Sequence, residues 1–223
     1  MKRIVLFLAI SSLFAAGGRA QVTELKSNGL DARYVGNILG RSQKIVDGLG
    51  LTDSLQAQSV RNIIANRYFL LNEIHDACKQ AKQYARDSIS DKAAQKAATD
   101  LAELRRDAEL YKHHFELASA LSAILTDEQI DAVKDGMTFG RMKRDYQAQL
   151  DMIPRLTDEE KAQVLVWLKE AREFAIDAGD SKQKHQWFDK YRGRTNNWLS
   201  ARGYDLKKER EAWQKRIEEQ KSK

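Results

Sequence analysis

The segment from Lys184 to Leu206 concentrates side chains that can recognise a ligand. It reads KHQWFDKYRGRTNNWLSARGYDL and sets aromatic rings beside planar groups with several hydrogen-bond donors. Aromatic faces can cover the apolar side of a sugar ring, arginine forks bind carboxylates through paired hydrogen bonds, and amides both donate and accept toward hydroxyl groups. The sequence therefore predicts a ligand-binding surface, for which the candidates are Trp187, Tyr191, Arg192, Arg194, Asn196, Asn197 and Trp198.

A tight helical corner requires similar residues, so a structural explanation of the same segment stays open. A stripe at helical steps of three and four, as on a buried face, consists of Phe188, Tyr191, Thr195, Trp198, Leu199 and Arg202. Gly203 suits the left-handed residue just past a helix end, which brings Tyr204 back onto Leu199. Gly193 permits close approach of a neighbouring helix. Packing does not explain the helical turn of polar residues from 192 to 197. Paired asparagines are poor helix formers, so a reason other than packing is needed for them.

The remaining sequence contains no motif that identifies a catalytic or metal-binding site. His113 and His114 are neighbours and point about 100° apart on a helix, so they do not face one ligand together. His75 and His185 have no partner at a spacing typical of metal sites. Glycine-rich phosphate loops, nucleophile-elbow serines and zinc-protease motifs are missing from the sequence. We therefore expect no metal and no cofactor, and we favour a binding role over catalysis.

The segment Leu125-Thr126-Asp127-Glu128-Gln129 matches the LTxxQ signature of a family of periplasmic stress proteins. Thr126 can cap the following helix while Gln129 reaches back to the backbone N–H of Thr126. Thr157 and Glu160 form a similar capping box. Because such boxes occur wherever a helix starts well, the signature has a structural explanation, and a stress-adaptor role is the functional alternative.

The first twenty residues predict an export signal. Lys2 and Arg3 form a basic start, residues 4–16 are apolar, and residues 18–20 are of the kind that a signal peptidase reads. The apolar run is too short to anchor the chain across a bilayer. We expect cleavage after Ala20 and a periplasmic or extracellular protein that does not span the membrane. Cys78, the single cysteine, cannot form an intrachain disulfide and fits a buried thiol.

Removal of the signal changes the charge balance. Loss of Lys2, Arg3 and Arg19 lowers the basic residues from 38 to 35 against 32 acidic ones, so the net charge falls from +6 to +3. Residues 184–223 contain 12 basic and 6 acidic residues, which places the positive charge at the C-terminal end. This end could attract an anionic partner, whereas export argues against nucleic acid.

Composition and periodicity predict an all-α protein with a single domain over residues 21–223. The chain has one proline and abundant helix formers. Two long helices, about 53–88 and 92–124, should pair as an antiparallel hairpin through apolar seams. The seam of the first helix consists of Val60, Ile64, Leu71, Ile74, Cys78, Ala81 and Ala85, interrupted by Arg67. The seam of the second helix consists of Ala97, Leu101, Leu104, Ala108, Tyr111, Phe115 and Ala118.

Shorter helices are expected to pack against this hairpin. They are predicted at 31–47, 126–135, 158–178, 181–202 and 206–220, and the chain between 137 and 154 reads as less regular. The C-terminal end is expected to fray after about residue 218.

Most of the chain after the export signal resembles an uncharacterised family of secreted bacterial proteins, and the resemblance is densest from Gly136 to Leu206. The residues that carry the resemblance are Asp151 to Pro154, Leu156-Thr157, Asp177 to Gly179 and Lys190 to Leu206. Where the family typically reads KYKGRINNYLS followed by GYD, this chain departs at Arg192, Thr195 and Trp198 and otherwise matches. The family is a domain of unknown function for which sugar binding has been suggested. The resemblance implies an exported helical protein that acts beside glycan-degrading systems, and it supplies no catalytic residues.

Three functional hypotheses follow from the sequence. The first is a non-enzymatic binding or accessory role toward carbohydrate, with acidic sugars suited to the arginines. The second is a helical chaperone or stress-adaptor of the LTxxQ type, which would dimerise and expose an apolar groove between its long helices. The third is a small glycan-active enzyme, which needs two carboxylates that converge in a cleft. The sequence does not specify the ligand or the oligomeric state.

Overall fold

The computed structural model describes residues 22–221, and within this range it contains nine α-helices and no β-strand. The helices are α1 (Ala32–Asp47), α2 (Ser54–Ser88), α3 (Lys92–His113), α4 (Glu116–Ser122), α5 (Asp127–Met137), α6 (Arg141–Met152), α7 (Asp158–Ile176), α8 (Ser181–Ala201) and α9 (Leu206–Lys221). The all-α, single-domain architecture is confirmed. None of these helices is both long and apolar enough to cross a membrane. The predicted export signal lies outside the described residues, and fraying after about residue 218 stays a prediction.

Helices α2 and α3 form the expected long antiparallel hairpin. Asp53 and Asp91 cap their first turns through side-chain carboxylates. An ion pair joins Lys82 to Glu103 midway along the hairpin. The second helix is shorter than predicted, since α3 ends at His113 and α4 begins at Glu116. At this break Arg67 donates to the His113 carbonyl at 2.8 Å.

The face of α3 that packs on α2 differs from the predicted seam. Ala102 is buried against α2, whereas the predicted seam of α3 points away from it. Leu104, Tyr111 and Phe115 are 66%, 74% and 65% exposed. We call this exposed stripe the α3 ridge; it consists of Ala97, Leu101, Leu104, Ala108, Tyr111 and Phe115. The prediction that these residues form the hairpin seam is wrong, because α3 approaches α2 through the side that carries Ala102, Gln95 and Glu103.

The predicted seam of α2 is largely buried and contributes to the main core. Val60 and Ile64 are fully buried beside residues of α4, α5 and α7 such as Leu121, Val133 and Ile176. A second cluster unites α6, α7 and α8 through Met142, Leu168 and Phe188 among others. A third joins α6 and α8 to the start of α9. The C-terminal helices are therefore held by their own cores, which position α7 and α8 side by side.

The ends of the helices follow the local sequence signals. Thr126 with Gln129, and Thr157 with Glu160, both form complete capping boxes. Helix α8 ends in the expected left-handed glycine, Gly203 with φ +91°, and the N–H of Tyr204 donates to the carbonyl of Leu199. These local predictions are confirmed, so the LTxxQ signature has a complete structural role at the start of α5.

Candidate functional site

The polar stretch from 192 to 197 lies inside α8, as the predicted helix at 181–202 requires. Helix α8 is continuous from Ser181 to Ala201. Since successive helical residues point about 100° apart, this stretch must divide between different faces. Of the predicted buried stripe, Phe188, Tyr191, Thr195 and Leu199 are buried, whereas Trp198 is half-buried and Arg202 is exposed. The seven candidate residues are therefore not one surface, and each has to be placed by its contacts.

Four of the seven candidates lie on the edge of α8 that faces α7. The ring of Trp187 stacks on Phe174 with centroids 4.5 Å apart and an interplanar angle of 15°. Tyr191 lies 6.4 Å from the same Phe174 ring. Trp198 meets Trp167 edge to face at 5.1 Å. We call this row the aromatic strip; its rings are those of Trp167, Phe174, Trp187, Tyr191 and Trp198.

Cationic side chains cover parts of the aromatic strip. The Arg194 guanidinium lies 4.8 Å from the Trp167 ring centroid and pairs with Glu170 at 3.4 Å. Arg202 lies 4.2 Å from the Trp198 ring centroid, and the Lys190 ammonium lies 4.8 Å from that of Trp187. Such cation–π contacts hold the rings in fixed orientations. The strip thus combines aromatic surface with guanidinium groups, which also pair with Glu170 in the case of Arg194 and with Glu159 in the case of Arg202.

The most open ring of the strip comes from α7 and was not among the sequence candidates. Phe174 is 46% exposed. Tyr191 is buried, and burial together with a hydrogen bond to Glu170 raises its pKa to about 12. Tyr191 is therefore an anchor beneath the strip, while Phe174 and the half-buried Trp187 and Trp198 provide its outer surface.

Two of the other three candidates, Arg192 and Asn196, lie on a different face of α8, whereas Asn197 follows Arg194 by three residues and lies beside it. Arg192 pairs with Asp189 at 3.1 Å, on the edge where Asp189 also accepts from Arg141 of α6. Asn196 follows Arg192 by one turn and is half-buried, and Asn197 is exposed to solvent. Gly193 is exposed, and a Cβ added there meets no atom within 4 Å, so the predicted close approach of a helix is wrong. The structure therefore groups Trp187, Tyr191, Arg194 and Trp198 and separates Arg192 and Asn196 from them.

A concave site that the sequence did not predict lies between the N-terminal helices and the α7–α8 connection. This cleft has a volume of about 970 Å³. Its walls come from α1, α2, the end of α5 and the start of α8, and its polar lining includes Tyr34, Arg41, Lys44, Tyr68, Asp135 and Lys184. Because these positions are far apart in sequence, no local sequence motif indicates the cleft.

Two buried charged residues line the cleft. Asp135 is 6% exposed, and its Oδ1 has no hydrogen-bond partner among the described residues; burial raises the pKa of this carboxyl. Lys184 is 5% exposed and donates to the carbonyls of Ala175 and Ile176 at 2.9 and 3.1 Å. Burial lowers the pKa of Lys184 to about 8. Buried titratable groups in a cleft are typical of ligand sites.

The backbone at the mouth of the cleft adopts an uncommon conformation. Phe139 and Gly140 have φ of +62° and +63°, and a left-handed conformation costs a non-glycine residue about 1 to 2 kcal/mol. The N–H of Gly140 donates to the carbonyl of Asp135 at 2.9 Å, which fixes this turn directly after α5. As a result the half-exposed Phe139 ring lies at the cleft, 5.7 Å from the ring of His185.

A buried hydrogen-bond network supports the far wall of the cleft. Arg67 pairs with Asp177 at 2.5 Å, and His114 Nδ1 lies 2.6 Å from the other carboxylate oxygen. His75 Nε2 donates to the Asp177 carbonyl at 2.8 Å. The sequence contained one signal of this network, namely an arginine inside the apolar seam of α2. Together these contacts fix the turn from which Gly179 and Lys184 reach the cleft.

The histidines occupy separate contacts. His113 pairs with Glu116 at 2.8 Å, whereas His114 turns toward Asp177. Within residues 22–221 no group of three or more His, Cys, Asp or Glu side chains is placed to hold a metal ion.

Comparison with known proteins identifies the family. No curated protein matches the sequence. Residues 35–219 match a family described as "Protein of unknown function (DUF3826)", and this match covers α2 to α8 completely and most of α1 and α9. The match covers nearly the whole described chain, in agreement with the extent of the resemblance noted from the sequence, and the protein belongs to the DUF3826 family.

Proposed function

We propose that the protein is an exported, non-enzymatic carbohydrate-binding protein whose glycan-binding surface is the aromatic strip. The single observation that supports this proposal is the open row of rings between α7 and α8, with arginines along it. Exposed aromatic and aliphatic side chains that are contiguous are uncommon on a free protein surface and usually mark a binding site. The outer members of the row are Phe174, Trp187 and Trp198.

The shape of the strip suits an extended chain of sugars better than a single enclosed one. From Trp187 to Trp198 the helix rises about 16 Å at about 1.5 Å per residue. A glycan that lies along the aromatic strip would place the apolar faces of its sugar rings on Phe174 and on the edges of Trp187 and Trp198. Arg194 and Arg202 lie beside the same rings and can bind carboxylates, which favours acidic sugars. Asn197, exposed one turn after Gly193, can bond hydroxyl groups at the rim.

The internal contacts of the strip also favour binding. The stacking of Trp187 on Phe174 and the arginine contacts already restrict these side chains before any ligand arrives. Less conformational entropy is then lost on association, so a modest number of contacts yields measurable affinity.

A glycan-array screen of residues 21–223, followed by calorimetry on the best ligand, tests the proposal. Phe174→Ala and Trp187→Ala are expected to weaken binding at least tenfold, about 1.4 kcal/mol. The double variant Arg194→Ala/Asn197→Ala is expected to abolish binding to acidic glycans with little change in melting temperature. Tyr84→Ala removes an exposed ring from the α2–α3 hairpin and is the matched control. A large loss of stability with unchanged binding in the strip variants contradicts the proposal.

The second candidate function is a dimeric helical chaperone or stress-adaptor. The observation that favours it is the α3 ridge, an apolar stripe on a long helix that faces solvent. An adaptor of this class is expected to suppress aggregation of a reduced, unfolded client at a stoichiometric ratio, and Leu104→Asp should remove that activity. Light scattering measures it. A protein that binds glycans through the strip but leaves client aggregation unchanged excludes this candidate.

A further inference from the structure

We propose that the cleft is a second binding site, separate from the aromatic strip, for a small polyhydroxylated carboxylate such as a uronic acid. The cleft and the strip share no residue. This inference goes beyond the proposed function, because it concerns a monomeric acid in a concave site and does not need the strip to bind glycans.

The first argument is the unmet hydrogen bond of Asp135. Its Oδ1 is desolvated and has no donor among the described residues, while Oδ2 is 3.8 Å from the exposed ammonium of Lys143. A buried polar atom without a partner is uncommon and calls for an explanation such as a missing ligand. A ligand hydroxyl that reaches Oδ1 after a small shift of the surrounding side chains suits Asp135 in either protonation state, because a hydroxyl both donates and accepts.

The second argument is that the ammonium group of Lys184 has one N–H donor that its two backbone acceptors do not use. An ammonium group has three N–H donors, and the carbonyls of Ala175 and Ile176 occupy two of them. These carbonyls end α7, where the helix dipole favours a cation. The remaining donor belongs to a side chain that lines the cleft, and it can serve a ligand oxygen.

The third argument is the charge and shape of the remaining lining. Arg41 and Lys44 are exposed, three residues apart on α1, and both line the cleft. An arginine fork beside a lysine suits a carboxylate. Tyr34, Tyr68 and the half-exposed Phe139 supply ring surface to the same cavity. A volume of about 970 Å³ is at the upper end of the range for small-molecule pockets, about 300 to 1,000 Å³.

Calorimetry and NMR titration of the mature protein with D-galacturonate, D-galactose and sulfate test this site. Galacturonate is expected to bind at least about tenfold more tightly than galactose, since only the acid can pair with Arg41 and Lys44. The double variant Arg41→Gln/Lys44→Gln should lose that advantage. The matched control is Lys207→Gln/Lys215→Gln, which removes two exposed charges from α9 and should bind as the wild type does.

Several outcomes would overturn the proposal. One is that galacturonate does not bind to the wild type at about 10 mM. Another is that the Arg41→Gln/Lys44→Gln variant and its control lose equal affinity for galacturonate. A third is that sulfate binds as tightly as galacturonate, which would indicate an anion site without hydroxyl recognition. Loss of galacturonate binding in Trp187→Ala but not in Arg41→Gln/Lys44→Gln would place the acid on the strip instead. Conversely, if strip variants no longer bind glycans but bind galacturonate with the affinity of the wild type, the two sites are separate.

The α3 ridge carries an independent inference: we infer that it pairs in parallel with the α3 ridge of a second copy of the chain. Its residues alternate at steps of four and three, which is the heptad spacing of a coiled coil. Leu101 and Ala108 occupy one core position of the heptad, and Ala97, Leu104 and Tyr111 occupy the other; Phe115 follows just after the end of α3. In the monomer this stripe is exposed along the whole of α3.

The charged residues beside the ridge favour a second copy of the chain as the partner and a parallel orientation of the two helices. Asp100 and Asp107 flank one side of the ridge, and Arg105 and Lys112 flank the other. In a parallel pair, each aspartate faces the basic residue five positions later on the other chain. An antiparallel pair would set aspartate against aspartate and base against base. The sequence is therefore complementary to itself in the parallel orientation.

Light scattering coupled to size-exclusion chromatography measures the oligomeric state. Wild-type protein is expected to be a dimer at about 100 µM. Leu104→Asp and Asp107→Lys should be monomeric, whereas Asp107→Lys/Lys112→Asp restores the complementary pattern and should dimerise again. A monomeric wild type, or failure of the double swap to recover the dimer while its helicity is intact, overturns the inference.

A disulfide test decides the orientation. Tyr111→Cys should cross-link in a parallel pair, since the two residues then lie side by side. In an antiparallel pair centred on the ridge they would be about 15 Å apart, beyond the reach of a disulfide, about 7 Å between Cα atoms. Cys78 is buried, so the wild type under the same oxidant is the control. Dimerisation without this cross-link contradicts the parallel arrangement.

Discussion

The guanidinium of Arg67 donates to the carboxylate of Asp177 at 2.5 Å, although 110 positions separate the two residues in sequence. Both side chains are buried where the middle of α2 meets the end of α7. The same guanidinium bonds the last carbonyl of α3, and the same carboxylate contacts His114. One ion pair therefore joins the long hairpin to the C-terminal helices and fixes the turn that leads into α8.

Removal of Arg67 should be strongly destabilising. Arg67→Ala leaves Asp177 buried and without its cation, and breaking a buried ion pair in this way costs about 3 to 5 kcal/mol. Urea unfolding followed by circular dichroism measures the change. Arg33→Ala, which removes an exposed arginine of α1, should change stability by less than about 0.5 kcal/mol. Similar small losses in both variants would mean that this pair does not hold the two halves together.

The contribution of Lys184 to stability should depend on pH above neutrality. Burial lowers its folded-state pKa from 10.5 to about 8, so between these values the unfolded chain binds more protons than the folded one. Stability from this residue therefore rises as the pH increases from 8 toward 10. The free energy of unfolding of the wild type minus that of Lys184→Met should be flat below about pH 7 and increase above pH 8.

Urea unfolding at several pH values measures this difference. Other groups with raised pKa values, such as Tyr68 and Tyr191, are present in both proteins and cancel in the subtraction. A difference that stays flat or decreases between pH 8 and 10 would contradict a buried ammonium at this position.

The end of α8 and the start of α7 should be coupled through Tyr204 and Glu160. The Tyr204 hydroxyl donates to the Glu160 carboxylate at 2.6 Å, and this bond holds the pKa of Glu160 below its usual range. Its stabilisation is therefore present above pH 5 and lost as the pH falls through the lowered pKa. Tyr204→Phe should cost about 1 kcal/mol at pH 7 and much less at pH 3. An equal cost at both values would assign the effect to packing alone.

Local features of the fold could be predicted from the sequence because their causes are local. The boxes at Thr126 and Thr157 and the glycine end of α8 depend on residues within five positions, and the structure contains all three. The periodicity of α3 correctly predicted a helix with an apolar stripe. It could not predict what covers that stripe, since steps of three and four look the same whether a helix packs within its own chain or faces outward.

The candidate sites were harder to predict, because their residues either divide between the faces of one helix or come together from distant parts of the sequence. The polar stretch of α8 looked like one unit because its residues are consecutive, but a helix sends consecutive residues to different faces. Phe174 entered the aromatic strip from another helix, and Asp135 and Lys184 meet the same cleft from positions almost fifty residues apart. Only Arg67, an arginine in an apolar seam, gave a sign of the buried network beforehand.

The close contact between Gly179 and His75 should make Gly179→Ala destabilising. A Cβ at this position would lie 2.8 Å from Cγ of the His75 ring, which is itself held by its bond to the Asp177 carbonyl. The ring or the turn must shift, so we expect a loss of about 1 to 3 kcal/mol. Gly193→Ala is the matched control, because that glycine is in the interior of α8 with open space around it. It should stabilise the protein by about 0.5 to 1 kcal/mol through its better helix propensity. Thermal and urea unfolding measure both variants, and a stabilised Gly179→Ala would show that His75 does not fix the wall of the cleft.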